Sequence, residues 1–239
     1  MNLLVTAGNT QTPIDRVRCI TNIFSGRTGA RIAWAAHDRG HAVMLLTSQP
    51  QVVAELPHQR GLAMPTWQVR TYQTFADLEA AMSELITSER FDAVIHSAAV
   101  SDFHVTGAYV PAAGTQLDHD TLVWRANDGE PRMTPAGAGK VKSTHPELWL
   151  RLRPAPKLID KVRREWGFRG RLVKFKLEVG VTEEELRAIA ERSRIQSAAD
   201  LMVANTLEGM HEWAIVGNAA GYRRVSRDEL PSVVVDAIA

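Results

Sequence analysis

The sequence predicts an α/β fold, a Rossmann-like three-layer sandwich around a mostly parallel sheet, with an inserted lid or dimerisation segment. Three observations carry this expectation. Short apolar runs alternate with amphipathic helical patterns along most of the 239 residues. The runs at 3–5, 42–47 and 91–96 are nearly all apolar, as strands covered on both faces are. The rhythm breaks once, between residues 103 and 139, where Gly, Pro, Asp and Asn occur without clear periodicity. Irregular stretches of that length in compact domains act as lids or binding loops, or are disordered. The expectation is one nucleotide-binding domain over 1–239, with an insertion at about 103–155 that forms the lid and antiparallel strands.

Each element has a local reason. After the strand at 3–5, a long polar glycine loop leads to a helix over 27–39, with Ile32, Ala33 and Ala36 on its apolar face and Gly40 as its stop. The strand at 42–47 is followed by a turn-rich loop over 49–65 and an alternating strand at 67–71. Thr74 is an N-cap for a helix through Ser88, with Leu78, Met82 and Leu85 on one face. The strand at 91–96 ends in small residues. Inside the insertion, one strand is expected at 121–124, and the strict alternation at 147–153 predicts a half-exposed antiparallel strand. Beyond the Pro154-Ala155-Pro156 break come a helix over 157–166 and a strand at 172–176. A helix over 182–196 opens on the capping box Thr182-Glu183-Glu184-Glu185, and a strand follows at 200–204. A hairpin (213–216 and 222–225) and a last helix (227–238) close the chain.

Composition narrows the function classes. The chain is 45% hydrophobic and 23% charged with a net charge of +1, so nothing points to a nucleic-acid or membrane partner. Local basic residues must therefore meet any anionic ligand. No apolar run approaches the ~20 residues of a membrane helix, and no secretory signal opens the chain. The single cysteine, Cys19, allows no internal disulfide and suits a reducing cytoplasm; it is expected to be a small core residue rather than a nucleophile. The eight histidines have no metal spacing, so no protein metal site is expected.

In a parallel sheet the ligand sits beyond the carboxyl ends of the strands. The first such loop carries Thr6-Ala7-Gly8-Asn9-Thr10, then Pro13-Ile14-Asp15-Arg16-Val17-Arg18, then Thr21-Asn22-Ile23-Phe24-Ser25-Gly26-Arg27-Thr28-Gly29. A strand feeding small residues and a helix start presents free N–H groups to an anion. The glycines match neither a GxxxxGK[ST] phosphate loop nor a dinucleotide fingerprint, so this is either a phosphate cradle or a steric turn. Arg18 and Asn22 exceed what a cradle needs. After the strand at 91–96, Ala98 and Ala99 let a ligand approach closely. Asp102 is either an acceptor for a hydroxyl, an amide or a metal, or a turn aspartate. Lys140 either brings charge to a reacting phosphate or is a solvated surface lysine. Phe175 either stacks on a base or belongs to the core, and the Asn205 amide either reads a base edge or holds a loop.

Taken together these blocks resemble the phosphopantothenate–cysteine ligase (phosphopantothenoylcysteine synthetase) family of coenzyme A biosynthesis. The resemblance covers Val5 to Thr10, Pro13-Ile14-Asp15, Val17-Arg18, Asn22, Ser25-Gly26 to Gly29, and the block from His96 to Phe103. It continues through Lys140-Val141-Lys142-Ser143, Pro156-Lys157, Phe175-Lys176-Leu177-Glu178 and Val203-Ala204-Asn205, all in the family's order. It looks most like the stand-alone form, on the expectation that Leu3 already lies in the first strand and because Phe175-Lys176-Leu177-Glu178 resembles that branch.

The resemblance implies a reaction and a set of roles. A nucleoside triphosphate, CTP or ATP, with Mg²⁺ bridging its phosphates, activates the carboxylate of 4′-phosphopantothenate as an acyl-nucleotidylate and releases pyrophosphate. The amine of L-cysteine then displaces the nucleoside monophosphate. Asn22 would hold the substrate carboxylate and Lys140 would stabilise the activated intermediate. Ala98, Ala99 and Asp102 would line the pantothenate arm. Arg18 would grip the phosphate of a substrate bound to the other subunit of a homodimer. Gly8, Ser25, Gly26, Gly29, Phe175, Arg192 and Asn205 would bind the nucleotide. The chain departs from the family at Phe24, where a hydroxyl is usual, at Asn9 and Thr206, and at Arg192, where a lysine is usual. Two alternatives stay open: a repurposed or inactive relative that binds a nucleotide or phosphorylated ligand, and a nucleotide-dependent oxidoreductase. Thr47-Ser48-Gln49, with no acidic residue, argues against the latter.

Overall fold

A computed structural model describes residues 1–56, 66–137 and 139–239. In chain order the first strands and helices are β1 (Asn2–Ala7), β2 (Gln11–Pro13), β3 (Cys19–Thr21), α1 (Arg27–Asp38), β4 (Ala42–Thr47), α2 (Pro50–Glu55), β5 (Trp67–Thr71), α3 (Phe75–Ser88) and β6 (Ala93–His96). The middle of the chain forms β7 (Phe103–Pro111), β8 (Thr115–Asp118), β9 (Val123–Ala126), β10 (Met133–Pro135) and β11 (Trp149–Pro154). The last third forms α4 (Leu158–Arg164), β12 (Arg171–Glu178), α5 (Glu183–Gln196), β13 (Leu201–Thr206), β14 (Trp213–Asn218), β15 (Gly221–Ser226) and α6 (Leu230–Asp236).

The chain forms two compact units. The first comprises Met1–Thr10, Asn22–Val100 and Lys157–Ala239; the second comprises Gln11–Thr21 and Ser101–Pro156.

The first unit holds an eight-stranded sheet in the order β15-β14-β13-β12-β6-β1-β4-β5. From β5 to β13 every neighbouring pair is parallel, and β14 and β15 add an antiparallel edge. Counted by order of appearance, the parallel strands run 3-2-1-4-5-6, the doubly wound order whose direction of winding reverses between β1 and β6. Alternation along the strands supplies both faces. Leu3, Val5 and Ala7 of β1 join Ile32, Ala33 and Ala36 of α1 and Val234 and Val235 of α6 in one cluster. Met202 and Ala204 of β13 join Leu186 and Ala190 of α5 in another. The expected Rossmann-like α/β fold is thus observed.

Local signals explain the element ends. Both expected caps form: the Thr74 and Thr182 hydroxyls accept from the Asp77 and Glu185 amides, and each N3 carboxylate accepts from the cap backbone in return. Gly40 stops α1 with φ +86°. The turn-rich 49–65 stretch contains a short helix, α2, started by Pro50; its remainder from 57 to 65 lies outside the described residues. β12 and β13 run past the expected ends at 176 and 204, so Asn205 lies inside a strand rather than in the loop after it.

The second unit is built from small sheets, in the orders β10-β7-β11, β2-β3 and β8-β9. The strand expected at 121–124 is displaced to β9. Leu122 has φ +55°, and Asp118 Oδ1 accepts from the amides of Asp120 and Thr121 at 3.1 Å each, so a turn occupies its first half. Cys19 is exposed rather than buried, because every residue of the three-residue strand β3 is open to solvent.

His96, at the end of β6, is buried. Its Nδ1 lies 2.9 Å from the Thr6 hydroxyl, which accepts from the Ala98 amide at 3.2 Å. Burial, with the Lys174 charge nearby, lowers its pKa from 6.5 to about 4. Between those values the unfolded chain binds a proton that the folded chain refuses. This contribution to stability is therefore full above pH 6.5 and is lost as pH falls toward 4, by on the order of 3 kcal/mol. Urea unfolding at pH 7 and pH 4.5 is expected to show that loss, with a shallower loss in His96→Gln; equal pH slopes in the two proteins would contradict a buried neutral imidazole.

Candidate functional site

The first unit contains a cavity of about 480 Å³ at the carboxyl ends of its strands. The loop after β1 and the start of α1 supply Gly8, Phe24, Ser25, Gly26, Arg27, Thr28 and Arg31. The loop after β6 supplies Ser97, Ala98 and Ala99, and β12 and β13 supply Phe175, Lys176, Leu177 and Asn205. The wall is completed by Met210, His211, Arg227, Leu230 and Pro231. The cavity opens at the β1–β6 reversal, where doubly wound sheets bind ligands.

Backbone contact shapes the floor. Gly8 and Gly26 have φ +88° and +78°, and any side chain on Gly26 would collide with the Gly8 backbone. A Cβ on Gly29 would lie 2.8 Å from Ala7 Cβ and 2.9 Å from the Thr6 carbonyl. Gly29 therefore seats α1 against β1 and does not line the cavity. Gly26 is the N-cap of α1 and provides no side-chain cap, and the first turn holds no acidic residue. The first-turn N–H groups are thus left to an anion.

The cavity wall is cationic. Arg27, Arg31, Lys176 and Arg227 line it, and among the described residues no carboxylate does. Arg31 pairs with Asp228 at 2.9 Å and Lys176 with Glu178 at 3.0 Å, leaving them partly neutralised. Arg227 donates to the Thr28 hydroxyl, and burial and then the Arg31 charge weigh against its charged form. A half-buried guanidinium without a carboxylate gains most from a bound anion. Sequence reasoning missed Arg227, Arg31 and Lys176 as site residues; Arg227 read only as the start of the last helix, 199 residues from Thr28.

Asn22 stands beside this wall. Its Nδ2 donates to the Ala99 carbonyl at 3.0 Å, and its own carbonyl accepts from Asn9 Nδ2 at 2.6 Å. Asn9 is fixed in turn by Ser48, whose hydroxyl accepts from the Asn9 amide at 2.9 Å and donates to Oδ1 at 3.1 Å. Seven of the expected residues therefore line one cavity (Gly8, Ser25, Gly26, Ala98, Ala99, Phe175 and Asn205), and Asn22 is tied to one of them. Arg192 is exposed on α5 and is not part of the lining.

Arg18, Asp102 and Lys140 belong to the second unit. Lys140 is exposed. Asp102 is exposed, and its backbone carbonyl accepts from the Ala155 amide at 2.8 Å. The Arg18 guanidinium donates to Asp15 Oδ2 through Nε and Nη2, at 3.1 and 2.6 Å, and to the Val141 carbonyl at 2.6 Å. Arg18 and backbone amides hold the Asp15 carboxyl far below the usual carboxylate range. Among the described residues no group of three or more His, Cys, Asp or Glu side chains could hold a metal, and no helix is long and apolar enough to cross a membrane.

Known proteins resemble this chain in sequence and in fold. Residues 1–110 match the family described as the DNA/pantothenate metabolism flavoprotein C-terminal domain. The coenzyme A biosynthesis bifunctional protein CoaBC of Thermococcus kodakarensis is 34% identical over 99% of this chain and 50% of its own length. The chain thus spans about half of that curated relative. The DNA/pantothenate metabolism flavoprotein from Streptococcus pneumoniae superposes with a TM-score of 0.76 at 28% identity, covering 100% of this chain and 98% of that one. A Cab2 variant solved in complex with phosphopantothenate-cysteine has a TM-score of 0.63 at 17% identity, over 99% of this chain and 84% of that one, which shows a shared fold. Motifs, sequence match and fold together bear out the chain's resemblance to the phosphopantothenate–cysteine ligase family.

Proposed function

We propose that this chain is a phosphopantothenate–cysteine ligase, joining 4′-phosphopantothenate to L-cysteine at the expense of a nucleoside triphosphate. The observation that carries the reading is the carboxylate-free, cationic cavity at the α1 N-terminus, with Asn22 held beside it. Attack of one anion on another concentrates negative charge, and preorganised N–H and guanidinium donors are what such a transition state needs. The relatives' role in coenzyme A biosynthesis and the phosphopantothenate-cysteine bound to Cab2 support the same substrates.

In this reading the triphosphate of CTP or ATP lies over Gly8, Ser25 and Gly26 and against Arg227, Arg31 and Arg27. Phe175 and Asn205 flank the base or ribose. Phe24 fills the position where family members place a hydroxyl, and the Thr28 hydroxyl stands one turn further on. Arg227 supplies the charge that a lysine at the position of Arg192 would otherwise bring. Mg²⁺ suits this donor set as the nucleotide's own counter-ion, because the cavity wall offers phosphate-binding cations and no carboxylate ligands.

Asn22 orients the pantothenate carboxylate for attack at the α-phosphorus. Pyrophosphate departs, and the cysteine amine then displaces the nucleoside monophosphate from the acyl carbon. Lys140 meets the charge that develops in both steps. Ala98, Ala99 and Asp102 accommodate the pantothenate arm. The two Nη1 hydrogens of Arg18, left over from its bonds to Asp15 and Val141, serve a substrate phosphate bound to the partner in a cytoplasmic homodimer.

Pyrophosphate release should require phosphopantothenate and a nucleoside triphosphate, and amide formation should also require cysteine. Asn22→Ala and Lys140→Gln should each lower turnover about a hundredfold or more while leaving the folded circular dichroism spectrum unchanged. Near-normal turnover in both would remove these assignments. Nucleotide binding that stabilises the protein without any turnover would instead favour a repurposed binding protein.

Arg227→Ala should raise the KM for nucleotide about tenfold or more, with little change in the KM for cysteine. An unchanged nucleotide KM would take Arg227 out of the site.

A further inference from the structure

Lys140 lies on a segment without regular secondary structure. A lysine there can stabilise developing charge only if its backbone is held, because slack in position costs both Coulomb energy and ordering entropy. Both neighbours of Lys140 are held by the β2–β3 hairpin. The Gly139 carbonyl accepts from the Arg16 amide at 3.1 Å. The Val141 amide donates to Asp15 Oδ2 at 3.0 Å, and the Val141 carbonyl accepts from Arg18 Nη2 at 2.6 Å.

Asp15 is the centre of this arrangement. Its Oδ1 accepts from the Val17 and Arg18 amides at 2.8 Å each, which is what closing the hairpin turn requires. Its Oδ2 does more, accepting from Arg18 Nε and Nη2 and from an amide 126 residues away. The side chain is 1% exposed. A buried carboxylate paired with arginine is a costly way to make a turn that Ser or Asn would make equally well. The excess bonds are spent on the segment that carries the lysine.

We propose that Asp15 is a positioning residue for Lys140: with Arg18 it clamps the backbone at Val141, in the hairpin whose Arg16 amide holds Gly139 on the other side, and so sets where the ammonium is presented to the reaction. The proposal rests on the ligase reading. It also gives Arg18 a duty within its own subunit, independent of any substrate bound to the partner.

Asp15→Asn, Lys140→Gln and the double variant test it in the 239-residue chain, with Asp15→Ser as a second probe that keeps a turn acceptor but cannot reach Val141. Two readouts are needed. Hydrogen exchange at Val141 should accelerate about tenfold or more in both Asp15 variants. The kcat should fall about tenfold with the nucleotide KM changed less than about twofold, and the same Asp15 substitution should have no further effect once Lys140 is Gln. Equal losses in the two backgrounds, unchanged Val141 exchange, or full kcat in Asp15→Ser would each overturn the proposal. A wild-type chain without turnover defeats the ligase reading and the catalytic half of the proposal with it; the exchange result still decides whether Asp15 holds the segment.

Discussion

The first unit is organised around the contact of two glycine backbones. Gly26 rests on Gly8 so closely that no side chain fits between them, and Gly29 rests on Thr6 and Ala7. This brings the start of a twelve-residue helix against the end of β1, the strand where the sheet reverses direction. Both glycines at the contact need left-handed backbone angles, which other residues adopt only at a cost. The return is a set of free helix N–H groups at the mouth of a cavity, with room for a ligand to touch the backbone. Arg227 and Asn22 then become useful only because this floor is in place.

The second unit follows a different logic. Most of its strands have only three or four residues, few of its side chains are buried, and much of its order comes from polar links across long sequence separations. Asp15 with Val141 and the Thr12 hydroxyl with the Phe103 carbonyl both join the 11–21 hairpin to the middle of the chain. The hairpin lies in the first loop of the sequence yet groups with residues 101–156.

This contrast explains what could be read from the sequence. The parallel sheet was legible because burial on both faces forces continuous apolar runs, and the helices because one buried face and a cap leave a periodic trace. β7 left none: its nine residues mix Gly, Thr, His and Tyr, and only Ala108 is fully buried. Cys19 is expected in the core from the habit of its residue type, which the fully exposed strand β3 overrides. At the site, the glycines and small residues were legible because they follow strands. Arg227, Arg31 and Lys176 were not, because a cation on a helix edge or strand has no local signature of what lies opposite it. Arg192 illustrates the converse, a basic residue suggested by its place in a motif that stays on the exposed face of α5.

The central claim is that the β1–α1 junction holds the phosphates of a nucleoside triphosphate. A crystal structure of the chain with Mg²⁺ and a non-hydrolysable triphosphate analogue tests it most directly. The expected result places phosphate oxygens within hydrogen-bond distance of the backbone N–H groups that open α1 and of the Arg227 guanidinium. A nucleotide bound elsewhere, or with its base rather than its phosphates at Gly8 and Gly26, would contradict the account.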